Sequence, residues 1–138
     1  MKNILVAHDG SKSSEKALKK AFQIAEAFDS SVTVLSVIPE VYLTELMEMD
    51  RARISESLTE DAKKMMAKIK AKAKIKSLKT VIRQGSPAEE ILKAAQRIKA
   101  DVIVTGSHGR HGAQKFLLGS VSSKIVDHAV CDVLVVKK

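Results

Sequence analysis

Asp101-Val102-Ile103-Val104-Thr105-Gly106-Ser107-His108-Gly109-Arg110-His111-Gly112-Ala113-Gln114-Lys115-Phe116-Leu117-Leu118-Gly119-Ser120-Val121-Ser122 decides the architecture of this chain. Its short apolar opening reads as a buried strand. Its end leads into an amphipathic segment that stops near Ala129. Between them lies a loop that, with its exit, holds four of the protein's six glycines. Glycine lets the backbone turn at positive φ and lets another molecule approach its amides. Amides at a helix N-terminus attract anions, phosphate above all. Ser107, Ser120 and Ser122 add hydroxyls that can donate to phosphate oxygens, and Arg110 and Lys115 add positive charge. The pattern strand, glycine loop, helix therefore reads as a phosphate-binding loop. Glycines that merely make turns would need only one or two positions and no trailing hydroxyls.

Two common phosphate loops do not match. A P-loop requires G-x-x-x-x-G-K-[ST], and no lysine stands in that register. The dinucleotide fingerprint requires G-x-G-x-x-G after a strand, and no G-x-G occurs here.

Outward from this loop, the rest of the chain alternates between the two periods of regular structure. Residues 3–8 form a short apolar run, as a central parallel strand would. Asp9-Gly10-Ser11 ends it, and a helix is expected from Ser13, with Ala17, Leu18, Ala21, Phe22, Ala25 and Phe28 inward. Val32–Ile38 is the second strand, ended by Pro39. Residues 44–74 read as a long helix with Leu58, Ala62, Met65, Met66, Ile69 and Ala73 on one face, fraying among its lysines. Leu78–Arg83 is the third strand. Ser86-Pro87-Ala88-Glu89 then reads as a capping box with proline at the first helical position. Asp101–Thr105 is the fourth strand, Gly119–Ala129 the last helix with Val121, Ile125, Val126 and Ala129 inward, and Asp132–Val136 the fifth strand. Five strands alternating with four helices predict an α/β fold, an open five-stranded parallel sheet with helices on both faces and right-handed crossovers.

A length of 138 residues fits one domain, 1–138, with a core large enough to need no staple. No apolar run nears the ~20 residues of a bilayer span. The N-terminal apolar stretch is too brief for a signal peptide, so a cytoplasmic location and no membrane partner are expected. The single Cys131 reads as a buried structural thiol. The net charge is +8, from 24 Lys and Arg against 16 Asp and Glu. Residues 62–79 contain eight lysines and no acid, and the remainder balances at 16 against 16. Basicity thus belongs to one segment.

Gly106, two residues, Gly109, nine residues, Gly119, Ser120 is a G-2x-G-9x-G-[ST] spacing that resembles the ATP-binding motif of the universal stress protein family. Ile4-Leu5-Val6-Ala7-His8-Asp9-Gly10-Ser11 resembles that family's first strand and acidic turn, and Val133-Leu134-Val135-Val136-Lys137-Lys138 its terminal strand, so the likeness covers essentially the whole chain. It implies a Rossmann-like sheet of order 3-2-1-4-5, with Ala7 and Asp9 brought beside Gly106. It implies ATP as ligand, with Mg2+ or Mn2+. It implicates Ala7 and Val37 at the ends of the first two strands, the loop from Gly106, Ser107, His108, Gly109, Arg110 and His111 to Gly112, and Gly119, Ser120, Val121 and Ser122. It also implies a homodimer formed through the last strand.

Asp9 reads as a partner for ribose hydroxyls or for a divalent ion on the phosphates, with capping of the following helix as the plain alternative. His108 and His111, at i and i+3, read as exposed loop histidines that touch phosphate rather than as half of a zinc site, which needs three or four ligands. His8 and His128 read as structural, and Met47, Met49, Met65 and Met66 as core and interface filler. Three function classes follow. The first is an ATP-binding regulatory module, with at most slow hydrolysis and no assigned catalytic residue. The second is a phosphoryl- or adenylyl-transfer enzyme, for which only Asp9, His108 and His111 are candidates and none forms an evident pair. The third is a nucleic-acid binder through the Lys63–Lys79 segment. Three Phe, one Tyr and no recognition motif disfavour nucleic acid and leave the lysines as a solvated helix face.

Overall fold

Five runs of β-branched and aliphatic residues lie side by side in a parallel sheet, and the segments between them pack as helices on its two faces. A computed structural model describes residues 1–40, 48–108 and 118–137. In chain order the elements are β1 (Asn3–Ala7), α1 (Lys12–Phe28), β2 (Ser31–Pro39), α2 (Glu48–Lys72), β3 (Leu78–Gly85), α3 (Pro87–Ile98), β4 (Val102–Gly106), α4 (Ser120–His128) and β5 (Asp132–Val136). The sheet order is β3-β2-β1-β4-β5, as the family resemblance implied. Ile4, Leu5 and Val6 pair with Val102, Ile103 and Val104 on one side, and with Val32, Thr33 and Val34 on the other.

Alternation along the strands builds two cores. Ile4, Val6, Val32, Val34, Val102 and Val104 face α1 and α2, where Ala17, Leu18, Ala21, Ala25 and Met66 close the layer. Leu5, Leu35 and Ile103 face the opposite way onto Ala88, Ile91, Ala94 and Ala95 of α3 and Ile125 of α4. The central strands are buried on both faces, which is why they read as unbroken apolar runs.

Several local expectations are corrected. Ser86 occupies the N-cap of α3 and Pro87 its first turn, but the Ser86 side chain makes no capping hydrogen bond. The other half of the expected box, Glu89, reaches Lys124 on α4 at 3.9 Å instead. Val126 is 44% exposed rather than inward, because the nine-residue α4 buries only Ser122 and Ile125, three positions apart. Phe28, the last residue of α1, and Met49, near the start of α2, are likewise exposed and not core. Met66 is buried and Met65 packs beside it. Met47 lies outside the described residues. Helix α2 ends at Lys72, two residues before the expected bound, and the Ala73 N–H still bonds the Ile69 carbonyl at 3.0 Å.

Two close contacts fix the strands that carry the crevice. At the amino end, Asp101 Oδ2 accepts the backbone N–H of Lys2 at 2.7 Å and of Asn3 at 2.8 Å, stapling the start of β1 beside β4. At the carboxyl end, Ser13 of α1 lies against Gly106. A Cβ added to Gly106 would fall 2.8 Å from the carbonyl carbon of Ser13 and 2.9 Å from its Cβ.

Each contact yields a test. The two amides hold the Asp101 carboxyl below its ordinary value. Its stabilisation is therefore fully present above the unfolded value, about 3.9, and is lost as pH falls through the lower folded value. Asp101→Asn should lower Tm at pH 7, and the gap to wild type should close on acidification below ~3.9; thermal unfolding across pH measures both. Gly106→Ala should cost roughly 1–3 kcal/mol in urea unfolding, the usual price of overpacking. Adding Ser13→Gly should not restore stability, since the obstructing carbonyl carbon remains.

Candidate crevice at the carboxyl ends of β1 and β4

The winding direction reverses between β1 and β4. From β1 the chain moves through α1 to β2, and from β4 it moves through α4 to β5 on the other side. The two connections leave on opposite faces of the sheet, so a crevice opens between their first residues.

The exit of β1 is a tight turn held by its own side chains. Ala7 ends the strand, and His8 N–H still reaches the Leu35 carbonyl of β2 at 2.9 Å. His8 is buried at 4% exposure. Its Nδ1 accepts the Gly10 N–H at 3.1 Å, and Asp9 Oδ1 accepts the Ser11 N–H at 2.9 Å. Gly10 has φ +85°, in the left-handed region, where a glycine fits without strain. Ser11 then caps α1, its Oγ accepting the Ser14 N–H at 3.2 Å. Asp9 thus holds the turn one residue before the helix, while the cap itself belongs to Ser11.

The exit of β4 is braced from three directions. The Gly106 carbonyl accepts the Ser122 hydroxyl at 2.6 Å, from the first turn of α4. Ser107 N–H donates to Val136 O at 3.0 Å, and Ser107 O accepts the Gly119 N–H at 2.8 Å. Ser107 Oγ lies 2.8 Å from His108 Nδ1, and His108 N–H reaches Ser13 Oγ at 3.4 Å. His108 is buried, which corrects the expectation of an exposed loop histidine.

Helix α4 begins at Ser120 with Gly119 as its N-cap, and no acidic residue stands in its first turn. By contrast, α1 carries Glu15 and α3 carries Glu89 and Glu90 there. The first-turn amides of a helix have no acceptor within it, so the positive end of α4 has no carboxylate of its own to answer it. Ser120 is exposed at that end and Ser122 is buried behind it.

The structure brings the expected residues together in two groups. Ala7, Val37 and Val121 all border the apolar cluster on the α3 and α4 face, around Leu5, Leu35 and Ile125. Val37 lies two residues inside the end of β2, not at its last position. Asp9, Gly106, Ser107, His108, Gly119, Ser120 and Ser122 lie at the carboxyl ends of β1 and β4 and the start of α4. Gly109, Arg110, His111 and Gly112 lie outside the described residues. The sequence reading assigned Ser122 no role toward protein, and it took Ser13 only as the start of the first helix, not as a neighbour of β4. Its burial beside a glycine is a tertiary fact with no signature in spacing.

Other groups lie apart from the crevice. The His128 ring lies 3.0 Å from Lys124 O in the last turn of α4. Partial burial pushes the Cys131 thiol above its ordinary value, so it stays protonated. Among the described residues no group of three or more His, Cys, Asp or Glu is placed to hold a metal ion. No helix of the described residues is long and apolar enough to cross a membrane.

Comparison with known proteins agrees with this architecture. The model of the universal stress protein family matches residues 1–137. A universal stress protein of Methanocaldococcus jannaschii is 39% identical over 142 residues, spanning 99% of this chain and 82% of that protein. The solved structure of hypothetical protein MJ0577 superposes with a TM-score of 0.88 at 34% identity, covering 99% of this chain and 96% of the other. A universal stress protein solved in complex with cAMP shares the fold, with a TM-score of 0.66 at 24% identity over 99% of this chain and 96% of its own. With the family's model matched along 137 residues and its sheet order reproduced, the chain belongs to the universal stress protein family.

Proposed function

We propose that the protein is a regulatory module that binds ATP, with Mg2+ or Mn2+, in the crevice between β1 and β4. One observation carries the reading: α4 starts at the switch point on a glycine cap with no acid in its first turn. An anion there meets unpaired amides, the helix dipole and the Ser120 hydroxyl. The G-2x-G-9x-G-[ST] spacing places further glycines in the connection that leads to it. Ala7, Val37 and Val121 offer an apolar border for the adenine ring, and Asp9 offers a carboxylate for ribose hydroxyls or for the metal. The relative solved with cAMP bears an adenine nucleotide on the same fold.

Regulation fits better than transfer. Ser107 and His108 have the atoms of a nucleophile and a base. Both are buried, at 4% and 8% exposure, and their hydrogen bonds serve the exit of β4. A buried pair engaged in this way suits support of a loop better than it suits transfer. Slow hydrolysis by water is the most the site would support.

The last strand supports a homodimer. Val133, Val135 and Val136 are only partly buried, and β5 is a sheet edge. Val136 O faces β4 through Ser107, so by alternation Leu134 also faces inward and Val133 and Val135 turn their N–H and C=O groups outward. Two copies of β5 meeting across a two-fold axis would satisfy those groups.

Calorimetry with MgATP should show binding by the wild type; no heat from ATP at millimolar concentration would end the reading. Gly119→Val should abolish binding without unfolding the domain, because Gly119 already has extended backbone angles that valine adopts. Asp9→Ala should weaken binding tenfold or more, as lost charge-assisted bonds of roughly 1.5–3 kcal/mol require. A variant that binds normally but unfolds more easily would leave Asp9 a turn residue only.

For assembly, Val133→Pro removes an outward donor and should give a folded monomer in light scattering. Leu134→Pro removes a donor that bonds β4, so it should lower stability first. A wild type that is monomeric at micromolar concentration would refute the dimer.

A further inference from the structure

Arg51 of α2 carries, in its Nε, the one buried side-chain nitrogen or oxygen that meets no hydrogen-bond partner among the described residues. A guanidinium has donors only and keeps its charge at every working pH. A buried donor left unpaired costs stability, and a charged one costs more, so folded proteins pair nearly all of them. The chain offers Arg51 no carboxylate. Its neighbour Asp50 is exposed. Glu90, beside Gly85, belongs to α3 on the opposite face and meets Lys93 at 3.5 Å.

The place of Arg51 follows from the helix. Helix α2 leaves the carboxyl end of β2 and returns to the amino end of β3, so its first turns lie at the same edge of the sheet as the crevice. Arg51 stands about five turns before Ile69, at the same angle around the axis. Ser55, Ala62 and Met66 share that stripe. Ala62 and Met66 are buried on it and Ile69 packs against the core, so the stripe faces the sheet. Ser55 fixes the level, because its Oγ accepts the Gln84 side-chain amide at 3.2 Å. Gln84 is the second-last residue of β3 and pairs with Ile38 of β2. Arg51 lies about 6 Å further along the helix axis than Ser55, whereas β3 continues only about 3.3 Å past Gln84. Arg51 therefore stands just beyond the ends of β2 and β3. The start of α4 is two to three strands away, about 10–14 Å across the sheet.

We propose that Arg51, with the Ser55 hydroxyl one turn along, is an anion subsite at the carboxyl ends of β2 and β3 that takes a phosphate group. The fork of a guanidinium matches an oxyanion with two parallel bonds. Ser55 accepts from Gln84 and so keeps its own proton for donation. A carboxylate would use both oxygens on the fork, whereas a phosphate has a third for Ser55. A single phosphate group cannot bridge from here to the first turn of α4. The group therefore comes from one of two sources: a separate phosphate-bearing molecule, or a phosphate on the ribose of a nucleotide that lies along the crevice. Nothing in this subsite requires ATP.

Titration of the nitrogen-15-labelled full chain with inorganic phosphate, at constant ionic strength, tests this. The Arg51 Nε–H and Gln84 side-chain resonances should shift together and saturate. Arg51→Met keeps the unbranched stem and drops every donor, so phosphate should bind about tenfold or more weakly, as loss of a charge-assisted pair requires. Ser55→Ala should weaken binding less. An Arg51 resonance that ignores phosphate, or that follows chloride equally, overturns the proposal whether or not a variant folds. So does saturation confined to the amides of Gly119 and Ser120, or a folded Arg51→Met that binds phosphate as wild type does. A second titration reads the source. If Arg51→Met loses several-fold more affinity for AMP phosphorylated on a ribose hydroxyl than for AMP, the subsite belongs to the nucleotide. If inorganic phosphate reaches Arg51 undiminished in saturating ATP, and the two AMP compounds lose equally, it serves a separate ligand. Failure of ATP to bind ends the crevice reading and leaves the phosphate titration to judge Arg51 alone.

Discussion

The absence of a side chain at Gly106 is the constraint on which the crevice depends. Parallel sheets of this kind leave their ligand space where two neighbouring strands send their connections to opposite faces. That space is useful only if the following helices come close to the strand ends. Here the first turn of α1 comes so close to β4 that any Cβ at position 106 would strike the backbone of Ser13. The Gly106 carbonyl is then taken by Ser122 from α4, which approaches from the other face. One residue without a side chain therefore lets two helices converge on a single strand end. The positions of Asp9, on the turn into α1, and of Ser120, on the entry to α4, follow from that convergence.

Hydroxyls do most of the joining at this end of the sheet. Ser13 and Ser122 reach from α1 and α4 to the exit of β4, while Ser11 caps α1 and Ser107 pairs with the adjacent His108. Small polar side chains suit the task. They satisfy buried amides and carbonyls that would otherwise carry a desolvation cost, and they take little room from the space they enclose. Longer charged residues at the same positions would fill the crevice or leave it for solvent. The polarity near the crevice closes the protein's own hydrogen bonds and leaves the first turn of α4 without a carboxylate of its own.

The sheet was legible because its central strands are buried on both faces. Ile4-Leu5-Val6, Val32-Thr33-Val34-Leu35 and Val102-Ile103-Val104 can hardly be read otherwise, and the structure places them at the centre. Strand order was not in the residues; it came from the family resemblance and matches the structure. What could not be read is where short side chains point. Ser86 stands in a capping-box pattern, yet its hydroxyl makes no capping bond, and the Glu89 carboxylate faces a lysine on another helix. His108 reads as a loop histidine, but lies buried against Ser107 and Ser13. Val126 keeps helical spacing with Ala129, and still faces solvent, because α4 is short and covers only a narrow strip. These outcomes depend on neighbours distant in sequence, so local pattern carries no trace of them.

The two borders of the sheet differ in chemistry. Strand β3 is eight residues long and exposes Lys79, Arg83 and Gln84, beside a helix whose final turn ends in lysines. Strand β5 is five residues long, and its last four are uncharged. A charged border repels a second like border, whereas an aliphatic one accepts a neighbour. A sheet with one guarded border and one receptive border can be extended only once. In the dimer proposed above, the far border of each sheet is the charged one, which offers a third copy no matching aliphatic edge.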